Sequence, residues 1–90
     1  MQLKVNFFED KRLWLFVDIN HVLRAYRVQR LPETKLVEEF NLAAHDDSVT
    51  CLVSLGSLDL FASSSLDGKL KIWNWATHEL ESESMHPRDL

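Results

Sequence analysis

This 90-residue sequence has few of the residues typical of secreted, fibrous or phosphate-binding chains: one cysteine, two glycines and two prolines. A single cysteine excludes an intramolecular disulfide, so we expect an intracellular, cytoplasmic protein. The low glycine and proline counts exclude collagen-like and linker-like chains, and any phosphate-binding loop that needs several closely spaced glycines. Cys51 lies in the apolar segment 49–53, where we expect a small buried side chain rather than a reactive thiol.

Long apolar segments are also missing. The longest uninterrupted run, from Leu13 to Val17, has five residues. A membrane-spanning helix needs about 20 such residues. The start of the chain, residues 1–8, is followed at once by four charged residues, so it lacks the apolar region of a signal peptide. We therefore expect no membrane partner.

Positive charge is scarce as well, since 10 lysines and arginines against 14 aspartates and glutamates give a net charge of −4. Nucleic-acid binding depends on clustered lysine and arginine, so we expect no nucleic-acid partner. An apolar and an acidic residue interrupt the nearest cluster, which consists of Arg24, Arg27, Arg30 and Lys35. This pattern indicates a solvated face rather than a phosphate-binding patch.

No spacing in the sequence is typical of a metal or cofactor site. The four histidines, His21, His45, His78 and His86, match no short ligand motif, and Cys51 cannot complete one. Acidic residues at alternate positions 79, 81 and 83 fit the solvent face of an edge strand better than a calcium site. We expect neither a metal nor a cofactor.

The most informative feature is an internal repeat at an offset of 47 residues, which places residues 13–20 over 60–67 and residues 23–26 over 70–73. Each half contains two apolar segments that are joined by a short polar turn, at Asn20-His21 or at Asp67-Gly68. Asp-Gly between β-rich segments is a strong hairpin signal, because glycine accepts the positive φ of a tight turn. Each half is therefore predicted to contain a hairpin.

Four strands are predicted in each half, at about 2–8, 12–18, 22–28 and 35–40, then 48–54, 59–65, 69–75 and 78–83. One segment also fits a helix, because Ile19, Val22, Leu23 and Tyr26 have the spacing of an apolar helix face. The repeat favours a strand there, since the matching segment 69–75 is rich in β-favouring residues directly after Asp-Gly.

Residues 44–74 resemble one repeat of the WD-repeat β-propeller family. The resemblance depends on Ala44-His45, the strand segments that follow, the turn at Asp67-Gly68 and the closing Trp73-Asn74. The family pattern opens with Gly-His and closes with Trp-Asp, so Ala44 and Asn74 depart from it. The first half resembles a degenerate, truncated copy, with Asn20 in place of Asp67 and Tyr26 in place of Trp73.

The resemblance implies a structural hydrogen-bond network of His45, Ser63, Asp67 and Trp73, with Ser65 as the alternative to Ser63. In the family the indole N–H donates to the hydroxyl, the hydroxyl contacts the histidine, and the aspartate fixes the histidine. A Ser–His–Asp set also resembles a catalytic triad, but no nucleophile elbow is present and the serine falls within a predicted strand. In the first half, which lacks this network, we expect a core of Phe7, Phe8, Trp14 and Phe16.

The resemblance also implies the fold class. It is all-β, with two four-stranded antiparallel blades of a WD-repeat propeller, which are too few to close, so we expect a fragment or truncated form of a larger propeller. The first blade, incomplete at its N-terminus, is expected at 1–41 and the second at 42–84, with 85–90 as a tail or the start of another blade. Further blades or a partner protein would be needed to cover the exposed sheet faces.

The function implied is that of a non-catalytic scaffold segment for protein–protein interaction, which binds partners through loops at the blade ends. The candidate partner-binding residues are Asp46, Asp47, Ser48, Leu66 and Ile19. Two alternatives stay open, a segment that joins a larger complex by strand pairing and a small Ser–His–Asp hydrolase. The family serves in many intracellular assemblies, including cytoskeletal and ciliary ones.

Overall fold

The computed structural model describes residues 5–85, and its regular structure is almost entirely β-strand. The eight strands are β1 (Val5–Phe8), β2 (Leu13–Val17), β3 (Leu23–Gln29), β4 (Lys35–Leu42), β5 (Val49–Leu55), β6 (Leu60–Ser65), β7 (Lys69–Asn74) and β8 (Leu80–Met85). One turn of 3₁₀ helix, Gly56–Leu58, joins β5 to β6. Within residues 5–85 the structure contains no helix that could span a membrane.

The strands form two four-stranded antiparallel sheets, with the orders β1-β2-β3-β4 and β5-β6-β7-β8. Each strand pairs with its neighbour in the chain, so both sheets are simple meanders. The chain divides into two compact units, Met1–Ala43 and Ala44–Leu90, with one sheet in each. The predicted fold class, all-β with two four-stranded antiparallel sheets, is confirmed. Of the segment 85–90 that we expected to be a tail or the start of another blade, Met85 belongs to β8 and residues 86–90 lie outside the described residues.

The segment that also fitted a helix forms a turn followed by β3. The carboxylate of Asp18 accepts hydrogen bonds from the backbone N–H groups of Asn20 at 2.8 Å and Val22 at 3.1 Å, and this closes the turn. His21 adopts a left-handed φ of 64°, and its counterpart in the second repeat, Gly68, has a φ of 86°. The repeat therefore predicted this segment correctly and the helical spacing did not. The turn depends on hydrogen bonds to the side chain of Asp18, which a periodicity of apolar residues does not detect.

The core of the first unit differs from the one that we expected. Of the four aromatic residues named, Phe8 is buried and Phe16 is half-buried, whereas Phe7 and Trp14 are 47% and 42% exposed. The buried side chains are Phe8, Leu13, Leu15, Val17, Leu23, Ala25 and Phe40. Successive side chains of a strand point to opposite faces, and in β2 the aliphatic set, not the aromatic set, occupies the buried face.

The core of the second unit is aromatic. Phe61 is fully buried and Trp73 and Trp75 are nearly so, with ring centroids 6.3 Å apart for Phe61–Trp73 and 4.3 Å apart for Phe61–Trp75. Every second residue of β6 is buried, so Ser63 and Ser65 lie on the same face as Phe61. A buried hydroxyl needs a hydrogen-bond partner, because leaving it without one costs about 1–3 kcal/mol.

Cys51 is exposed, which contradicts the expectation of a buried side chain. The cause is a β-bulge, since Val49 pairs with Ser65 and Cys51 pairs with Ser64, which leaves Thr50 as an extra residue in β5. A bulge shifts the inside–outside alternation by one position, so Thr50 and Cys51 are both exposed. The neighbouring Leu52 resumes the buried face.

Candidate functional site

Four side chains form a continuous hydrogen-bonded chain in the second unit. The indole Nε1–H of Trp73 lies 3.0 Å from Ser63 Oγ, Ser63 Oγ lies 2.8 Å from His45 Nε2, and His45 Nδ1 lies 3.0 Å from Asp67 Oδ2. An indole N–H can only donate and a carboxylate can only accept. With a neutral imidazole, the donors therefore run in one direction, from Trp73 through Ser63 and His45 to Asp67. We call these four residues the polar chain.

Each member of the polar chain comes from a different part of the second sheet. His45 lies in the loop before β5, Ser63 in β6, Asp67 in the β6–β7 turn and Trp73 in β7. The side chain of His45 and the whole of Ser63 are 0% exposed, so both are shielded from water. Within this low-dielectric setting the hydrogen bonds are strong, and an unpaired member would be costly.

Ser65, the alternative to Ser63, lies nearby but has other partners. Its hydroxyl donates to the carbonyl oxygen of Asp47 at 3.1 Å and accepts from the backbone N–H of Asp67 at 3.1 Å. Ser65 therefore joins the loop before β5 to the β6–β7 turn. Ser63 is the serine that the structure places against His45 and Trp73.

The carboxylate of Asp67 is the point where the polar chain meets the backbone. It accepts from the N–H of Lys69 at 2.9 Å and from the N–H of Asp46 at 3.2 Å, besides His45. Burial alone would raise the pKa of Asp67, but the hydrogen bonds from Lys69, Asp46 and His45 outweigh it and hold the pKa at about 2, below the ordinary value of 3.8. Asp67 is therefore ionised throughout the physiological range.

The lowered pKa of Asp67 makes the stability of the second unit sensitive to acid. A group whose folded-state pKa is depressed stabilises the fold above its unfolded-state pKa, and that contribution disappears as the pH falls through the folded-state pKa. We expect the stability difference between the wild-type chain and Asp67→Asn to shrink as the pH falls from about 4 to about 2. Urea denaturation at a series of pH values measures it, and a difference that stays constant down to pH 2 would contradict the assignment.

Four of the five candidate partner-binding residues form one exposed surface next to the polar chain. Asp46, Asp47 and Ser48 belong to the loop before β5, and Leu66 lies at the tip of the β6–β7 turn. The N–H of Leu66 donates to the carbonyl oxygen of Ser48 at 2.9 Å, so loop and turn are tied together directly. Leu66 is 53% exposed. We call Asp46, Asp47, Ser48 and Leu66 the loop surface.

Ile19, the fifth candidate, lies in the first unit and is 62% exposed. It occupies the position of Leu66 at the repeat offset of 47. Both residues are apolar side chains at the tip of the central hairpin turn of their sheet. The structure describes them in separate units.

The first unit contains a polar cluster that sequence reasoning missed. Asp18 accepts from Arg24 Nε at 2.9 Å, and Arg24 Nη1 donates to Glu38 Oε1 at 3.0 Å. The hydrogen bond from Arg24 lowers the pKa of Asp18 and that of Glu38. The repeat gave no signal for this cluster, because at the offset of 47 Asp18 overlies Ser65 and Arg24 overlies Lys71, whose side chains contact other residues.

The repeat also shows what replaces the polar chain in the first unit. Phe16 and Tyr26 overlie Ser63 and Trp73 at the offset of 47, and their rings stack with centroids 5.2 Å apart. An aromatic stack thus stands where the second unit has a hydroxyl–indole hydrogen bond. A stacked pair of aromatic rings needs no buried histidine beside it.

Asn74, where the family pattern has aspartate, still caps the turn that follows β7. Its side-chain oxygen accepts from the N–H groups of Ala76 at 2.8 Å and Thr77 at 3.0 Å. Its amide nitrogen donates to Glu81 Oε2 at 2.9 Å, a contact that a carboxylate could not make. The departure at this position is therefore compatible with the same local structure.

The polar chain does not offer a reaction site at the surface. A nucleophile must be reached by its substrate, and Ser63 is fully buried while its oxygen already contacts Trp73 and His45. No group of three histidine, cysteine, aspartate or glutamate side chains within residues 5–85 is arranged to hold a metal ion.

Comparison with known proteins gives two matches to this chain. The WD40 family model, described as "WD domain, G-beta repeat", matches residues 35–74. An uncharacterized WD repeat-containing protein of Acanthamoeba polyphaga mimivirus is 47% identical over 47 residues, which is 52% of this chain and 36% of that protein. The match thus spans little more than a third of the relative's length. The WD40 match begins with β4 and ends with β7, so the sequence repeat takes the last strand of one sheet and three strands of the next.

Proposed function

Because residues 35–74 carry a WD repeat, we propose that this chain is a non-catalytic scaffold segment that binds partner proteins through the loop surface. WD repeats generally mediate protein–protein interaction, and the family is generally non-enzymatic. The proposal sets the chain in a cytoplasmic complex, of which a cytoskeletal or ciliary assembly is one kind. Its partners are proteins, not nucleic acids or membranes.

The main support for this proposal is that the side chains of Asp67 and Ser65 hold the backbone of the exposed loop before β5. Asp67 binds the backbone of Asp46 and Lys69, and Ser65 bridges the backbone of Asp47 and Asp67. The loop surface therefore has a fixed backbone although its side chains are exposed. A rigid, exposed set of two carboxylates, a hydroxyl and a leucine is suited to recognising a partner, because little conformational entropy is lost on binding.

The hydrolase alternative needs a Ser63 that substrates can reach, and its burial argues against one. Hydrolysis of a simple ester that Ser63→Ala abolishes would favour the alternative. The strand-pairing alternative needs an edge strand that accepts another strand. The edge strands are β1, β4, β5 and β8. Charged side chains oppose such pairing at β8, which carries the exposed Glu81 and Glu83, whereas β1 and β5 contain no charged residue, so the alternative stays open there.

Charge reversal on the loop surface tests the proposal. We expect Asp46→Lys with Asp47→Lys to reduce affinity capture of partner proteins by about tenfold, because complementary charges at an interface become repulsive. The measurement is quantitative mass spectrometry of proteins captured from cells by the tagged full chain. Asp46→Asn with Asp47→Asn should give a smaller loss, since the amides keep the local hydrogen-bond acceptors.

The matched control reverses two charges elsewhere. Glu33 and Glu79 are exposed and lie outside the loop surface, so Glu33→Lys with Glu79→Lys makes the same change in net charge. We expect this variant to capture the same partners as wild type. Equal capture by both charge-reversed variants and the wild-type chain would remove the loop surface from the proposal.

A further inference from the structure

The first unit contains a groove that the proposed function does not use. Its volume is about 700 Å³, and it is lined by Phe7, Glu9, Arg12, Trp14, Arg27, Val28 and Arg30. The lining comes from β1, the β1–β2 turn, β2, and the C-terminal end of β3 together with the residue that follows it. Antiparallel pairing brings the start of β2 beside the end of β3, so residues distant in sequence meet at one end of the sheet.

The floor of the groove is apolar and aromatic. Phe7 and Trp14 contact each other with ring centroids 4.8 Å apart, and Val28 is 44% exposed beside them. Trp14 overlies Phe61 at the repeat offset of 47, and Phe61 is completely buried in the core of the second unit. The same sheet position thus carries a large aromatic side chain in both units, but in the first unit it is open to a ligand.

The rim of the groove is positively charged. The lining contains three arginines and one glutamate, and Arg27 Nε donates to Glu39 Oε1 at 2.7 Å. In the described part of the chain, residues 5–85, neither Arg12 nor Arg30 forms an ion pair. Because the whole chain has a net charge of −4, the groove is a local positive site on a negative protein.

We propose that this groove binds an acidic peptide segment of a partner protein. One aromatic or aliphatic side chain of the peptide packs on Phe7 and Trp14, and its carboxylates pair with the guanidinium groups of Arg12 and Arg30. The inference rests on the proposed scaffold function and names the chemistry of a partner at a second surface. Arginine and tryptophan are the residues that most often dominate binding energy at protein interfaces.

The groove favours a peptide over a nucleic acid. Binding a polynucleotide requires an extended positive surface that follows the phosphate backbone. Here the positive charge is confined to one end of one sheet, and the floor between the arginines is hydrophobic. That combination matches a short segment with an apolar anchor flanked by carboxylates.

Fluorescence anisotropy with a labelled peptide of sequence Glu-Asp-Phe-Asp-Glu and the full 90-residue chain tests the inference. We expect saturable binding that weakens about tenfold in the double variant Arg12→Asn with Arg30→Gln, since two charge-assisted contacts are lost. Asparagine suits position 12 because Arg12 has a left-handed φ of 55°. The control, Lys35→Gln with Lys69→Gln, removes two positive charges outside the groove and should bind as wild type does.

Two further probes identify the ligand chemistry. Glu-Asp-Ser-Asp-Glu lacks the anchor and should bind more weakly, whereas a single-stranded DNA of similar charge should not compete. Absence of peptide binding, equal weakening in the groove and control variants, or competition by the DNA would each overturn the inference. Partner capture that still depends on Asp46 and Asp47 in that case would leave the proposed function in place and reject only the groove.

Discussion

Replacing Trp73 with alanine is expected to lower the free energy of unfolding of the second unit by about 4 kcal/mol. The indole is 6% exposed and stacks near Phe61, so its removal leaves a large cavity. The substitution also removes the indole N–H of Trp73, which donates a hydrogen bond to Ser63 Oγ. Tyr26, its counterpart in the first unit, is only half-buried, and Tyr26→Ala should cost about 3 kcal/mol less.

Urea denaturation followed by circular dichroism measures the two costs. Hydrogen-exchange mass spectrometry assigns each loss to a unit, because the peptides of β6 and β7 report on the second and those of β2 and β3 on the first. We expect Trp73→Ala to increase exchange in β6 and β7. Equal losses of unfolding free energy for the two substitutions would contradict this prediction. They would mean that the hydrogen bond to Ser63 does not make Trp73 more stabilising than Tyr26.

Most strands and turns of this chain could be predicted because local signals and the repeat agreed, and in residues 19–26, where helical spacing disagreed, the repeat predicted the strand. Asp67-Gly68 predicts a tight turn by itself. The offset of 47 then predicts the corresponding turn at Asn20-His21, where the local signal is weak. The contacts among His45, Ser63, Asp67 and Trp73 were implied only by the family resemblance. The missing nucleophile elbow and the predicted strand position of Ser63 argued against a catalytic triad, but they did not show what the four residues form instead.

Two features could not be predicted, because they depend on pairing between strands. The bulge at Thr50 is set by the register of β5 against β6, and it turned Cys51 outward in a segment that looked uniformly buried. The buried face of β2 was equally hidden, because Leu13 to Val17 is apolar at every position and shows no alternation. Only the folded sheet separates the exposed Trp14 from the buried Leu15.

The grouping of the groove arginines could not be predicted from the sequence either. Arg27 and Arg30 were interpreted as part of a solvated face, and Arg12 did not enter that interpretation because it lies far away in sequence. The β2–β3 pairing brings all three to one end of the sheet. A sequence pattern shows charge along the chain, whereas a binding surface depends on charge across neighbouring strands.

Replacing Ser63 with alanine carries the second large effect. The hydroxyl is the only link between the indole of Trp73 and the imidazole of His45 in the polar chain, so its loss leaves one buried donor and one buried acceptor without that partner. Each such group costs about 1–3 kcal/mol, and we expect a total loss of about 3 kcal/mol. The methyl group of alanine fits the space of the serine side chain, so packing changes little.

Ser63→Ala measured beside Ser64→Ala tests most directly whether the polar chain stabilises the fold. Ser64 is the next residue of β6 and lies half-buried on the opposite face, and its hydroxyl contacts that of Thr50 at 2.8 Å. In urea denaturation we predict a loss of about 3 kcal/mol for Ser63→Ala and about 0.5 kcal/mol or less for Ser64→Ala. Equal, small losses for both variants would contradict this stabilising role of the polar chain.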